Sequence, residues 1–581
     1  MTSTCPREMV LIEEGLNRID VVYVMRLCLV FILLLFCVCA AEAETQKDNQ
    51  KVYETRLNYQ IVVPSDPTPV VGFAADELKS FLAKTYTAAV LLNGSKAPTT
   101  FYVGFQESDL LDRFDGTREM LKQKKFGIFC RDRDILLTGY DDNVEPLEFR
   151  GLNGSLCAVY YFLTKYAGVG FYFPGDKGVE ITTNKPLVLS ETDDIPEPSF
   201  SVRGFQMANN EFTKEDHMLF FKRMLNQVPL WAVPDASYTC TDWTKTIGQE
   251  HPEYLSLYNG QRTGKSPYQL PCMSNPEVVR KVADDVIDIF RKNPSFQTVH
   301  LFLDGPHYPC QCETCMASKE RQFQKPVPIA GESKPGLDTS EEYFTFVAKI
   351  GKIVLEEFPD KNLDTLTKFD RYSHCPVTME RWDPRIQVNL LTRRGQNGND
   401  TFEIRLAEAK DWVSKGARVI IRSYPRHPRH KNYPLMNPEY TARYFRKFQG
   451  IAQGSIKSDL NKNSVPYSFC ALNQYVQAKI LFNTSLSVSD LTDAFVTFCY
   501  PGAEKEMNAF YREMEHLWDE SRLDTDPLSG CYRFENLRKP MALLESARKQ
   551  VTGNRFLIER LYEAFSDFYR ISEKRSLQGE G

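Results

Sequence analysis

The sequence predicts an α/β protein: a (β/α)8 TIM-type barrel, preceded by a small α/β domain and followed by a helical C-terminal segment. Three observations predict it. From Phe200 onward, short apolar runs alternate with segments of helical period, the pattern of repeated βα units on a parallel sheet. No Gly-rich phosphate loop accompanies those strands, which disfavours an open doubly wound sheet. The 581 residues exceed what one small core needs, so about two or three domains are expected.

The chain opens with an export pattern. Arg26 is followed by an apolar run from Leu27 to Cys39 and by Ala41-Glu42-Ala43, the order of a signal peptide cleaved after Ala43. Residues 1–43 are therefore expected to be removed, with Met25 as an alternative start. A membrane anchor over Val21–Ala41 competes with this reading, but Arg26 sits inside it. Export implies a secreted, periplasmic or cell-surface protein with no membrane span in the mature chain.

Residues 44–195 read as the small α/β domain. "RLNYQIVVP", "TTFYVGF", "FGIFCRD" and "DILLTGY" are strands, and "VGFYFPG" runs into "GVEI". "GFAADELKSFLAKTY" and "GSLCAVYYFLTKYAG" are helices, the second ended by Gly168. The Pro-rich "DDIPEPSF" is a linker. Residues 199–485 form the expected barrel. Its strands are "FSVRGFQ", "VPLWAV", "TVHLFLD", "LDTLTKF", "IQVNLLT", "RVIIRSY" and "GSIKSDL", with "YLSLYNG" as the candidate eighth. Asn275 and Pro276 start the helix "NPEVVRKVADDVIDIFRK". Residues 486–581 read as helices.

A net charge of -5 gives no global attraction for nucleic acid or anionic lipid. The 42% apolar and 25% charged residues fit a globular protein. Aromatic residues at 12% suit either sugar stacking or a large core. The sequons at Asn93, Asn153, Asn399 and Asn483 would carry glycans only in a eukaryotic host.

Four segments, "HPEYLSLYNGQR", "QLPCMSNPEVV", "FLDGPHYPCQCETC" and "ALNQYVQAKILFNTSLSVSDLTDAFVTFCYPGAEKEM", resemble the bacterial family catalogued as domain of unknown function 4838. The N-terminal "AADELKSFLAKTY" and "GSLCAVYYFLTKYAGVGFYFPG" are similar to the small domain that precedes the barrel in α-glucuronidases and β-hexosaminidases. Some members of the first family form glycoside hydrolase family 163, endo-β-N-acetylglucosaminidases. The resemblance implies a barrel glycosidase without fixing its sugar.

Reactive groups of such barrels sit where strands end and loops begin. Asp304 closes "TVHLFL" before the turn Gly305-Pro306, and is expected to act as an acid or orienting carboxylate. Glycoside cleavage needs a second carboxyl, or a substrate acetamido group oriented by one. Asp370 after "LDTLTKF" ranks first as partner and Glu211 after "RGFQMANN" second, ahead of Glu253 and Asp459. His307 and Tyr308 on the Asp304 loop, His251 and Tyr372 are candidate sugar-binding residues. Arg203 resembles a first-strand arginine that contacts sugar hydroxyls in related barrels. Those relatives often carry a Glu near the last strand, where this chain has Ile456-Lys457-Ser458. That departure leaves a non-catalytic glycan-binding protein as the second reading. Arg393, Arg394, Arg422, Arg426, Arg429 and Lys431 cluster at the ends of two late strands, and arginine forks bind carboxylate and sulfate. The expected partner is an oligosaccharide, anionic if those loops line the mouth, and otherwise the cluster is a solvated basic loop.

Of 15 cysteines, Cys5, Cys28, Cys37 and Cys39 lie at or before the cleavage point, which leaves an odd number. Cys310, Cys312 and Cys315 read C-x-C-x-x-C, with Cys272 as a fourth member. Four thiolates would make a closed structural zinc site, and two disulfides are the equal alternative. Catalysis is expected to need no cofactor.

Overall fold

A computed structural model of the chain describes residues 51–53, 59–86, 99–183, 187–189, 191–207, 211–240, 242–262, 271–302, 310–323, 339–367, 372–392, 401–423, 434, 436–459, 466–520 and 532–578. The expected signal peptide lies outside them. Among the described residues no helix is long and apolar enough to cross a membrane.

The N-terminal unit contains β1 Lys51–Tyr53, β2 Tyr59–Val62, β3 Thr99–Val103, β4 Phe126–Arg131, β5 Asp134–Gly139, β6 Val169–Phe171, β7 Val179–Ile181, β8 Leu187–Leu189 and β9 Thr192–Asp194. Five of them form one mixed sheet in the order β2-β3-β5-β4-β9. The helices Pro69–Thr85 and Gly154–Lys165 pack on it with their apolar sides inward. The first starts where the sequence signals a start. Thr68 is the N-cap, its hydroxyl accepting the Val71 N–H at 3.3 Å, and Pro69 follows in the first turn.

Among the described residues the central unit is a seven-stranded, wholly parallel sheet. Its strands are β10 Val202–Met207, β11 Ala236–Thr239, β12 Thr298–Phe302, β13 Asn362–Leu366, β14 Ile386–Thr392, β15 Val419–Ser423 and β16 Gly454–Asp459. The order β10-β16-β15-β14-β13-β12-β11 pairs the first strand with the last, as a closing barrel requires. Gly454 makes that junction possible. Its φ is +148°, and a Cβ there would lie 1.8 Å from the Val202 carbonyl oxygen.

Two expectations are corrected here. "VPLWAV" is a single 3-10 turn, Leu230–Ala232, after Pro229, and the strand is the next segment, Ala236–Thr239. "YLSLYNG" supplies isolated bridges at Leu255 and Tyr258 and no eighth strand. Beside β10, the backbone of Gln227 accepts the Arg203 N–H at 2.8 Å, so a loop stands where an eighth strand would begin.

Helices cover the outer face. Gly351, in the helix Ser340–Glu357, allows a close approach: a Cβ there would lie 2.3 Å from Ile386 Cδ1 and 3.6 Å from Leu363 Cδ1. Leu363 and Ile386 are directly paired on β13 and β14, and their side chains therefore mark the outer face. Beyond the helix Ala471–Phe482, the helices Val488–Cys499, Glu504–Glu520, Phe534–Gln550 and Phe556–Leu577 follow the barrel among the described residues.

The units share one continuous core. Arg223 pairs with Glu77 at 3.0 Å, and Tyr172 stacks on Phe498 with centroids 4.3 Å apart. Asn153 is fully buried and accepts the Lys222 Nζ at 2.9 Å, so this sequon is closed in the folded chain.

His217 gives the fold an acid limit. Its ring is buried between Phe212 and Tyr467. Burial pushes its pKa down to about 4, against a weak opposing pull from Asp216. The folded state thus holds fewer protons than the unfolded chain between pH about 4 and about 6.5. Stability is complete above that window and falls as pH drops through it, by roughly 2–3 kcal/mol from this residue. Urea midpoints recorded across the window should show the loss, and His217→Phe should flatten it.

Candidate active site

Paired residues of neighbouring parallel strands share a face of the sheet. With Leu363 and Ile386 outside, the next residues along, Asp364 and Gln387, face inward. His300 pairs with Asp364 in register and joins them. Asn389 lies two residues beyond Gln387 on the same face, and Arg422 pairs with Leu391 two further on. The interior thus carries histidine, carboxylate, two amides and a guanidinium where bulky branched residues usually fill such barrels.

These groups form one network. Asp364 is fully buried. Its Oδ1 pairs with His300 Nδ1, and its Oδ2 accepts from Gln387 Nε2 at 2.8 Å and from Asn389 Nδ2. Asn389 Oδ1 in turn accepts the Arg422 Nε–H at 3.0 Å, which fixes the amide orientation from both ends. Gln387 Nε2 also donates to the Ala232 carbonyl at 3.2 Å, so the turn Leu230–Ala232 closes the lower end of the network. A buried carboxylate on β13 held by partners on both flanking strands, β12 and β14, is rigid. The chain of contacts runs from β12 to a half-buried Arg422 at the fourth residue of β15, toward the C-terminal end of the sheet.

Glu211 lies just beyond β10. Its Oε1 accepts the Tyr467 N–H at 3.2 Å, which ties it to the turn Tyr467–Phe469 that follows β16. Burial raises its pKa above the ordinary carboxyl value, against the lowering effect of the Tyr467 N–H. A carboxyl raised in this way suits a proton donor.

Other expected site residues fall differently. Asp304, His307, Tyr308, Asp370, Arg393 and Arg426 lie outside the described residues. Asp459 ends β16 opposite Met207. His251 is exposed, its Nδ1 2.9 Å from Glu253 Oε1 and its ring stacked on Tyr254. Glu253 is exposed too, its pKa lowered by its own backbone N–H and by His251.

Two expected sugar contacts are corrected. The Tyr372 ring is stacked on Tyr343, centroids 4.0 Å apart, and the residue is only 5% exposed, so it stands in the core. Arg203 pairs with Ser455, one residue before the Gly204–Ile456 pair, whereas Arg422 pairs with Ile456. Arg203 therefore points to the face opposite Arg422, and it stands at the start of its strand rather than the end. It is 2% exposed and donates to the carbonyls of Leu225 at 3.0 and 2.8 Å and of Phe200 at 2.7 Å. Burial lowers its pKa to about 10. Its work is to hold the loop after the helix Lys214–Arg223. Arg203→Met should cost roughly 3 kcal/mol by stranding two buried carbonyls. Chemical denaturation reads that loss, and KM for any substrate should stay unchanged.

Cys272, Cys310, Cys312 and Cys315 converge, with all four Sγ atoms within 4.8 Å of one another. Cys272 Sγ lies 3.8 Å from both Cys310 Sγ and Cys312 Sγ. No Sγ pair is bonded.

Comparison with known proteins gives a family and a fold. The family model described as "Domain of unknown function (DUF4838)" matches residues 182–511. No curated protein matches the chain. Among solved structures, a 4-O-methyl-α-glucuronidase of glycoside hydrolase family 115, described as specific for decorated arabinogalactans, superposes with a TM-score of 0.50 at 11% identity, over 90% of this chain and 72% of that one. A family 138 enzyme targeting pectin rhamnogalacturonan II gives 0.46 at 10% identity, over 88% and 86%. A family 89 glycoside hydrolase from Clostridium perfringens in complex with PUGNAc gives 0.39 at 11% identity, over 81% and 62%. The likeness to the family 115 structure establishes a glycosidase-like fold, and at this identity the fold alone.

Proposed function

The chain belongs to the DUF4838 family, and from that premise and the geometry above we propose that it is an exported glycoside hydrolase acting on an acidic glycan. The observation that carries the reading is the interior network His300–Asp364–Asn389–Arg422. A barrel that served only as scaffold would fill this level with aliphatic side chains, since buried ionic groups add little net stability. Arg422 presents the kind of group that binds a carboxylate or sulfate in fork geometry. The family 115 structure is a 4-O-methyl-α-glucuronidase, an enzyme directed at a uronate, and agrees with that choice.

In this reading the glycosidic oxygen takes its proton from a carboxylic acid at the barrel mouth. A second carboxylate activates water or stabilises the cationic sugar. Asp304 is assigned to the pair, with Asp370 or Glu211 as its partner. Burial raises the pKa of Glu211 above the ordinary carboxyl value, the direction that favours a proton donor. The reaction consumes water and needs no cofactor. The signal-like segment ending at Ala43 supports a mature protein outside the cytoplasm.

The test is a panel of uronate-bearing, sulfated, N-acetylglucosamine-containing and neutral oligosaccharides, read for released sugar. Release confined to the anionic members supports the proposal. Release from the N-acetylglucosamine glycans alone would favour the endo-acting activity of family 163 and remove the role given to Arg422. Binding without release would make the chain a glycan-binding module.

A further inference from the structure

We propose that Cys272, Cys310, Cys312 and Cys315 bind one structural Zn2+ that fastens two segments of the chain at a single point, with a third segment hydrogen-bonded beside them. The inference is independent of the glycosidase reading.

The argument starts from geometry. Tetrahedral zinc with Zn–S bonds of about 2.3 Å sets its sulfurs about 3.8 Å apart. Cys272 Sγ stands 3.8 Å from Cys310 Sγ and 3.8 Å from Cys312 Sγ. Two disulfides would give a different pattern: two Sγ pairs at about 2.05 Å, and no need for all four sulfurs to meet. Here every pair lies within 4.8 Å, the arrangement of one centre. Cys272, Cys310 and Cys315 are buried and Cys312 is half-buried, so the centre is closed to solvent on most sides. A closed four-sulfur set is structural, without the open position a catalytic zinc keeps.

The surroundings suit thiolates. The Leu257 N–H donates to Cys310 Sγ at 3.2 Å. Ser274 Oγ lies 3.2 Å from Cys315 Sγ and 3.4 Å from both Cys272 Sγ and Cys312 Sγ. The guanidinium of Arg262 sits beside Cys272 and is held by the carbonyls of Leu255 and Glu253. A Zn(Cys)4 centre carries two net negative charges, and these donors with one cation offset it. Without a metal, four sulfurs at this spacing cannot all ionise. Zinc displaces the thiol protons to solvent, so affinity should fall as pH falls.

The ligands also explain the local chain path. Cys272 is three residues before Asn275, the N-cap of the helix Pro276–Lys292. Cys310, Cys312 and Cys315 lead into and lie on the helix Glu313–Phe323. Gln311 holds the third segment, its N–H donating to the Leu257 carbonyl at 2.7 Å and its Oε1 accepting the Asn259 N–H at 2.8 Å.

The full mature chain, purified without chelator, should carry one zinc per chain by elemental analysis. Stripping the metal with a strong chelator should lower the melting temperature, and Zn2+ alone should restore it. Co2+ in place of Zn2+ should give intense thiolate-to-cobalt charge-transfer absorption in the near ultraviolet. Cys312→Ser, at the least buried ligand, should weaken Zn2+ binding more than tenfold. If that variant fails to fold, the cobalt spectrum of the wild-type chain still decides. Metal content below a tenth of an equivalent, together with either two disulfides among these cysteines by peptide mapping or four thiols alkylated at once in the native protein, would overturn the proposal.

Discussion

Asp304→Asn is expected to lower turnover of the cleaved glycan by ~10²–10⁴-fold while leaving the folded chain intact, the usual cost of removing a general acid or base. Asparagine has nearly the shape of aspartate but neither gives nor takes the proton. The residue stands two positions past Phe302, the last residue of β12, on the strand that contributes His300 to the interior network. The effect should fall on kcat more than on KM, because binding of the rest of the glycan does not depend on this carboxyl. Initial-rate kinetics with parallel calorimetric binding separate the two. Undiminished turnover would remove Asp304 from the chemistry and return the assignment to Asp370 and Glu211.

Asp364→Leu should be the most damaging single substitution in the barrel, at roughly 3–5 kcal/mol. The carboxylate receives bonds from the fully buried Gln387 Nε2 and Asn389 Nδ2 and pairs with the half-buried His300. Leucine offers these donors nothing, and each buried donor left without an acceptor carries its own desolvation cost. Asp364→Asn keeps one acceptor and should lose less. The difference between the two urea midpoints measures the network, and a loss under about 0.5 kcal/mol for leucine would mean that the network is solvated.

The barrel was largely legible in the sequence because its strands are runs of Val, Ile and Leu with helical segments between them. The second strand was not. Ala236–Thr239, "ASYT", has no apolar run to announce it, whereas "VPLWAV" does and yet forms a turn. That turn has tertiary work: the Trp231 carbonyl accepts the Thr298 hydroxyl, the Trp231 ring lies under Arg418, and Ala232 caps Gln387. Hydrophobicity there marks burial, not strand.

The interior network was missed although a signal existed. In "IQVNLLT" the polar Gln387 and Asn389 alternate with Ile386, Val388 and Leu390. A parallel strand covered on both faces should be apolar throughout, so such alternation marks a polar lumen. His300 interrupts the apolar run "VHLF" in the same way, and Asp364 stands between Leu363 and Thr365. Arg203 misled for the converse reason. Its position on the first strand suggested a sugar contact, while the register that turns it outward is visible only once Arg203 is seen opposite Ser455. The four cysteines were legible as a set from their spacing, but the mutual distances that favour one centre over two pairs belong to the fold.

The most direct test of the central claim is digestion of a uronate-bearing oligosaccharide in ¹⁸O-enriched water, with the products analysed by mass spectrometry. A glycoside hydrolase places one labelled oxygen at the anomeric carbon of the released sugar, and Asp304→Asn should lose that product. Tight binding of the same oligosaccharide with no labelled sugar, under conditions where the wild-type chain is folded, would contradict the hydrolase account.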